Sequence, residues 1–431
     1  MHIALINSVV ANGGDAAILI STIKVLRAVF GVDTSFVLYD AAPDVAKAHY
    51  PELEVRPTLY KMAFEDRPPN RLARKTRFLR WFVNRPRLHA AAELYGRKRR
   101  GLADRLLSAE EREQFCELTE ADLVCSVGGT YLVENYWLGP IFFEFGLVHR
   151  LGLPHVLLAQ SMGPFRKPHV RSAMRRVLDA AEFVVLRDEV SLRHVEALGP
   201  TSARLEVGAD TAFAIAESET LRAARTAAWP ERPRVAVSVR EWPYFETVPV
   251  EEGMARYRAS IAATVERLVR THGAEVVFVS TCQGNPDYRY DDAAVAATIA
   301  ETLPGDVRPH VSVDAAYHRP EALVDLLGGF DLVVATRMHV AILALSAGVP
   351  VLPIAYEFKT QALFERLGLG EWVQDIERVR PDTLPDVADR FVEALPSFRA
   401  ELFERVEAQR AEAMVSGEWV RDAMQARRDR R

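Results

Sequence analysis

Cysteine is nearly absent from this chain: Cys116, Cys125 and Cys282 are the only three in 431 residues. They are too few and too scattered for a disulfide framework or a zinc knuckle, so neither staple is expected, and a reducing cytoplasm is the expected setting. No run of about 18 apolar residues occurs, which argues against a membrane-spanning helix. The opening "MHIALINSVV" lacks the basic n-region and cleavage site of a secretory signal. A formal net charge of −5 gives no overall bias toward nucleic acid, and no nucleic-acid partner is expected. Neither a GxGxxG fingerprint nor a P-loop lysine follows the Gly-Gly turn near the start, so nucleotide binding there has little support.

What the chain does contain is short β-branched runs alternating with helical patterns, the rhythm of parallel α/β layers, over a length that suggests two domains. "HIALINS", "DTSFVLYD", "ADLVCSVGG", "PHVLLAQSMGP", "AEFVVLRD" and "ARLEVGADTAF" read as strands of a first domain, with helices over 15–29, 168–181 and 188–198. "RVAVSVRE", "AEVVFVSTCQ", "DLVVAT" and "VPVLPIAY" repeat the scheme. The polar, Ala-rich stretch 217–234 with two prolines marks the boundary, giving domains over 1–216 and 235–382 and C-terminal helices over 383–431.

Residues 67–105 form an insertion of unusual composition: 13 Lys/Arg against 2 Asp/Glu, with Phe78, Trp81 and Phe82 interleaved. A solvated helical insertion is one reading. A surface for anionic lipid, with Trp81 and Phe82 as interfacial anchors, is the other, because aromatic residues sit poorly on a purely solvated face.

"DLVVATRMHVAILALSAGVPVLPI" (331–354) is almost wholly apolar apart from Arg337 and His339 near its front. The pattern predicts a buried strand over 331–335, Thr336 as N-cap, and a helix over 338–347 closed by Gly348 and Pro350. A helix opening just past the carboxyl end of a parallel strand offers unbonded N–H groups and a positive dipole end to an anion. Arg337 adds a planar fork suited to phosphate or carboxylate, and His339 adds an imidazole able to carry a proton. Two residues apart, they diverge by about 200° on a helix, so Arg337 must precede the helix if both serve one ligand. The competing reading has Arg337 in a surface salt bridge and His339 bonded to a backbone carbonyl. "SVR" puts Arg240, and "AYEFK" puts Lys359, just past other strand ends of the same domain. Three cations and a histidine on one sheet edge suit a small, densely anionic ligand.

These motifs resemble the polysaccharide pyruvyltransferase family. The resemblance runs through "NGGDAAILISTIKVL" (12–26), "SVGGTYL" (126–132), "LLAQSMGPF" (157–165), "VVLRDEVSLRHVEALG" (184–199), "VGADTAFAI" (207–215), "SVR" (238–240) and "TRMHVAILALSAGVPVLPIAYEFK" (336–359). It implies an α/β fold of two Rossmann-like domains facing a cleft, similar to GT-B glycosyltransferases, with an N-terminal acceptor domain and a C-terminal donor domain. It also implies transfer of a pyruvyl group from phosphoenolpyruvate to two hydroxyls of a saccharide or lipid-linked oligosaccharide, forming a cyclic ketal without metal or cofactor. Arg337, Arg240 and Lys359 are then candidates for the donor's anionic groups, and His339 for the general acid that protonates the enol methylene. Ala16 stands where an acidic residue is commoner, which bears on local acceptor contacts.

On the acceptor side, Asp15 either caps the turn after "ANGG" or bonds and deprotonates an acceptor hydroxyl. The Gly13–Gly14 and Gly128–Gly129 pairs allow close approach of a ligand to the backbone, and Gln160 either holds sugar hydroxyls or satisfies a buried loop. Arg187 and Asp188 are expected to fix an inter-strand loop, and the adjacent aspartates of "YRYDD" (288–292) to complement a helix dipole rather than hold a metal. The rival functions are a nucleotide-sugar glycosyltransferase on the same fold and a non-catalytic glycan- or anion-binding module. No carboxylate lies early in the 337–347 helix to grip a ribose; Glu357 is the nearest beyond it.

Overall fold

The computed structural model describes residues 1–64, 71–284 and 290–430, without the side chains of 71–80 and Phe358. The start of the basic segment (67–70) and Tyr288 and Arg289 of "YRYDD" therefore lie outside the described residues. The chain forms two compact units, each built on one parallel sheet.

The first unit comprises Met1–Val10, Thr22–Thr211 and Ala413–Arg431. Its strands are β1 (His2–Ser8), β2 (Ser35–Asp40), β3 (Glu54–Pro57), β4 (Leu123–Ser126), β5 (Gly129–Leu132), β6 (His155–Met162), β7 (Phe183–Leu186) and β8 (Arg204–Val207). They run parallel in the order β3-β2-β1-β4-β6-β7-β8, with β5 paired to the end of β6. Every residue of β6 is buried, as expected where helices cover both faces of a parallel sheet. The second unit comprises Ala11–Ser21 and Ala212–Glu412. Its strands β9 (Arg234–Ser238), β10 (Glu275–Phe278), β11 (Val311–Val313), β12 (Leu332–Ala335), β13 (Val351–Ala355) and β14 (Gln374–Asp375) run parallel in the order β11-β10-β9-β12-β13-β14. In each sheet the strand order reverses beside the first strand, at β1/β4 and at β9/β12. Open α/β sheets bind ligands outside the carboxyl ends at such switch points.

Two segments depart from a division at residue 216. The helix Gly13–Phe30 opens within the second unit: the Gly13 N–H donates to the Thr281 carbonyl at 2.9 Å. A Cβ on Gly13 would lie 2.7 Å from that oxygen, so the close approach depends on glycine. The C-terminal segment is one continuous helix, Leu384–Asp429, with Pro396 inside it. Its early part packs Phe391 edge-on to Trp372 in the second unit (5.2 Å between centroids). Past Ala413 it belongs to the first, where Trp419 meets Phe183 and Arg427 pairs with Glu182.

The basic segment contains the helix Arg71–Gly96. Trp81 is half-buried rather than projecting from the surface. It packs against Tyr60, Phe64 and Phe143 with centroids 5.1–6.1 Å apart, while Phe82 is exposed.

Candidate functional site

The loops after β9 and β12 flank the switch point of the second sheet, and they carry Arg240 and Arg337. The backbone ties them together, since the Thr336 N–H donates to the Ser238 carbonyl at 2.9 Å. The fully buried Tyr257, on the helix Val250–His272, bonds the Thr336 hydroxyl at 2.7 Å and also the Arg240 backbone. Thr336 is thus engaged by Tyr257 and does not cap the next helix. That helix, Met338–Ser346, has Arg337 at its N-cap in extended conformation (φ −82°, ψ 119°). Arg337 therefore precedes the helix, and His339 lies in its first turn.

Arg337 is buried, 8% exposed, and is neither a surface salt bridge nor an open fork. Its Nε donates to Asp292 Oδ2 at 2.7 Å and its Nη2 to Asp292 Oδ1 at 2.6 Å. Burial works against the guanidinium charge, but the Asp292 carboxylate outweighs it and holds the arginine's pKa well above its ordinary value. The Ser280 hydroxyl, just past β10, donates to the same carboxylate. The two aspartates of "YRYDD" thus divide their work. Asp291 is the N-cap of the helix Asp292–Thr302 and accepts the Ala293 N–H at 3.1 Å, while Asp292 turns inward to Arg337. The expectation of two dipole partners gives way at Asp292, whose carboxylate compensates the buried Arg337 guanidinium.

Arg240 is held differently. It is 7% exposed, its guanidinium carbon lies 3.9 Å from the Tyr356 ring centroid and 5.0 Å from that of Trp242, and its Nε donates to the Glu241 carbonyl. Among the described residues no carboxylate pairs with it. Lys359, past β13, pairs with Glu357 at 2.8 Å.

The opening of the first long helix completes this group within the same unit. Asn12 caps it by accepting the Gly14 N–H at 2.9 Å, and Cys282 Sγ contacts the same Asn12 oxygen at 3.5 Å. The cap is thus Asn12 rather than Asp15, which lies half-buried in the first turn. Gly14 faces His339: a Cβ built there would fall 2.6 Å from the imidazole Nδ1. The N–H groups of Gly13 and Gly14 bond protein oxygens, so this turn does not offer them to a ligand. Burial pushes the Cys282 thiol up to about 11, which keeps it protonated and unreactive.

Gly128, Gly129 and Gln160 come together separately, in the first unit. Gly129 pairs with Gln160 in the β5–β6 register, and a Cβ on Gly128 would lie 2.7 Å from the Ala159 carbonyl. The close approach at Gly128 is thus to β6. Gln160 Nε2 donates to the Val127 carbonyl at 2.8 Å and to the Tyr131 hydroxyl at 2.9 Å, fixing the loop after β4. Its buried Oε1 has no partner among the described residues. Nearby, Arg187 donates to Ser161 at 2.7 Å and to Asp210 at 2.5 Å, and Asp188 caps the helix Glu189–Glu196. From sequence alone Asp292 has only a helix-dipole role, and Tyr257 goes unnoticed. Asp292 carried a signal, as an acid beside a helix start in a chain with an otherwise unpartnered buried arginine; Tyr257 carried none. No cluster of metal-ligating side chains occurs among the described residues, and no described helix is long and apolar enough to cross a membrane.

Comparison with known proteins matches this architecture. Over 288 residues the chain is 32% identical to the amylovoran biosynthesis protein AmsJ of Erwinia amylovora, covering 64% of this chain and 67% of that one. Solved structures of the same GT-B type share the fold at low identity. UDP-GlcNAc 2-epimerase from Neisseria meningitidis, bound to UDP-GlcNAc, superposes with a TM-score of 0.56 at 10% identity, covering 99% of this chain and 100% of that one. Sucrose-phosphate synthase from Thermosynechococcus elongatus does so at 0.53 and 13%, with the same coverage. The family model described as polysaccharide pyruvyl transferase matches residues 12–357, and the chain, with its arginine-flanked switch point, belongs to that family.

Proposed function

We propose that the protein transfers a pyruvyl group from phosphoenolpyruvate to two hydroxyls of a sugar in a polysaccharide or its lipid-linked precursor. The observation that carries the donor reading is Arg240, a buried guanidinium at the sheet's switch point that no carboxylate pairs among the described residues. Such a charge calls for an anion, and phosphoenolpyruvate brings a phosphate and a carboxylate. Arg337 is neutralised by Asp292 and Lys359 by Glu357, so Arg240 is the principal anchor and the other two orient the donor around it.

In this reading His339 gives its proton to the enol methylene, leaving C2 an oxocarbenium-like centre. One sugar hydroxyl adds to C2 and loses its proton, with Asp15 the candidate acceptor. Phosphate then departs, and a second hydroxyl closes the ketal. The products are the pyruvylated sugar and inorganic phosphate, and His339 recovers a proton from the hydroxyls consumed. In the first unit, Gln160 is a candidate for holding a sugar hydroxyl through its Oε1.

The experiment is phosphate release from phosphoenolpyruvate across free and lipid-linked galactosides, mannosides and glucosides. Release should require the acceptor, and His339→Gln should lower turnover roughly 10²–10⁴-fold while donor binding persists. Near-wild-type turnover in that variant would remove the general-acid role. Release of nucleoside diphosphate from a sugar nucleotide, with no use of phosphoenolpyruvate, would establish the glycosyltransferase alternative.

A further inference from the structure

Besides Val32, four large apolar side chains of the first unit stand more than half exposed among the described residues: Phe82 and Val83 on the helix Arg71–Gly96, and Tyr136 and Trp137 on the loop after β5. They are far apart in sequence, but Trp137 and the neighbour of Phe82, Trp81, join one aromatic cluster. Trp137 meets Tyr60 edge-on at 5.6 Å, and Tyr60 meets Trp81, the neighbour of Phe82, at 6.0 Å. Trp137 also rests on Gly139, where a Cβ would come 2.8 Å from the indole Nε1. The Trp137 ring is thus held in place rather than left to fold back on the core.

Positive charge accompanies them. Residues 71–87 hold seven Lys/Arg and no Asp/Glu in sequence, of which Arg87 is paired with Glu111. Of these, Arg85 is exposed over the Trp81 ring at 5.1 Å, and no carboxylate pairs with it among the described residues.

We propose that this face docks the protein reversibly on an anionic bilayer surface, with Phe82, Val83, Tyr136 and Trp137 entering the headgroup boundary and Arg85 meeting a lipid phosphate. Rigid aromatic side chains beside cations match that boundary, where one end of each group is apolar and the other wet. An acidic polymer would answer the cations but leave Val83 and Phe82 in water. The face differs from one expected of the basic segment alone, because Trp81 is structural and Trp137, from outside that segment, takes the interfacial place.

The test is sedimentation of the full chain with vesicles of phosphatidylglycerol and phosphatidylcholine, or of phosphatidylcholine alone, at low and high salt. Wild type should sediment with the anionic vesicles at low salt and release at high salt, since screening within about a Debye length removes the attraction. Phe82→Ser/Trp137→Ser and Arg85→Gln should each weaken binding at least several-fold. Acceptor-dependent phosphate release with a soluble sugar should be unchanged in both, which separates this proposal from the assignment of the reaction and shows that the variants fold. The emission difference between wild type and Trp137→Phe should shift to the blue on adding anionic vesicles. Equal sedimentation of the double variant and wild type, equal binding to neutral vesicles, or binding of single-stranded RNA in place of vesicles would each overturn the proposal.

Discussion

Arg337 and Asp292 form a two-bond ion pair, 2.6 and 2.7 Å long, buried beside the switch point of the second sheet. Removing one member of such a pair strands the other's charge in a medium that solvates it poorly, whereas replacing both by apolar groups can be nearly neutral. We expect Asp292→Asn and Arg337→Met each to cost about 3–5 kcal/mol, and Asp292→Leu/Arg337→Met to cost well under the sum. Urea unfolding of the three variants measures this. Additive losses would mean that the two side chains act independently. Arg337→Lys should be damaging too, because an ammonium cannot make the planar two-bond contact.

Gly14 and His339 are the second coupled pair. Ala at position 14 would gain about 1 kcal/mol of helix propensity, but its Cβ must displace the imidazole from 2.6 Å. Gly14→Ala should therefore lower kcat tenfold or more with KM for phosphoenolpyruvate little changed, because the donor anchor Arg240 is untouched. Steady-state kinetics beside a thermal melt check it. Wild-type kcat in a well-folded Gly14→Ala protein would show that His339 needs no fixed position.

Glu144, on the helix Gly139–Arg150, accepts the Tyr60 N–H at 3.2 Å and bonds the Thr58 side chain at the start of the helix Leu59–Phe64. Burial nevertheless outweighs these bonds and pushes its carboxyl up to about 7 from 4.5. A raised carboxyl pKa means that the folded state binds the proton more tightly than the unfolded one, so stability is lost as pH rises from about 4.5 through 7, by about 3 kcal/mol. Glu144→Gln keeps an acceptor for Tyr60 and cannot ionise, so it should be more stable than wild type at pH 8, with the advantage vanishing near pH 4.5. Burial also lowers His89 and His155 to about 4, with Arg150 and Arg85 adding to the effect at His89. Their contribution has the opposite sense: present above about 6.5, it is lost as pH falls toward 4. Comparing variant with wild type at each pH isolates Glu144. A stability difference independent of pH would refute the assignment.

Local pattern determined much of this protein. The long buried strands, the Gly-Gly helix opening, and the places of Arg240, Arg337 and Lys359 just past strand ends follow from β-branched runs and helix signals within a dozen residues of each other. The strands β3, β5, β11 and β14 left no such signal: β11 and β14 have only three and two residues, and β3 and β5, at four, lack the β-branched run that marks β7 and β12. Tertiary structure alone decided which polar groups meet. Whether Arg337 opens its fork to a ligand or spends it on Asp292 depends on how the Asp292–Thr302 helix returns to the sheet. Likewise Tyr257 reaches Thr336 only because β9 and β12 lie side by side, and Gly14 meets His339 across more than three hundred residues of chain. Hydrophobic periodicity says which face of an element is buried; it does not say which partner's hydrogen-bonding groups will be buried there with it.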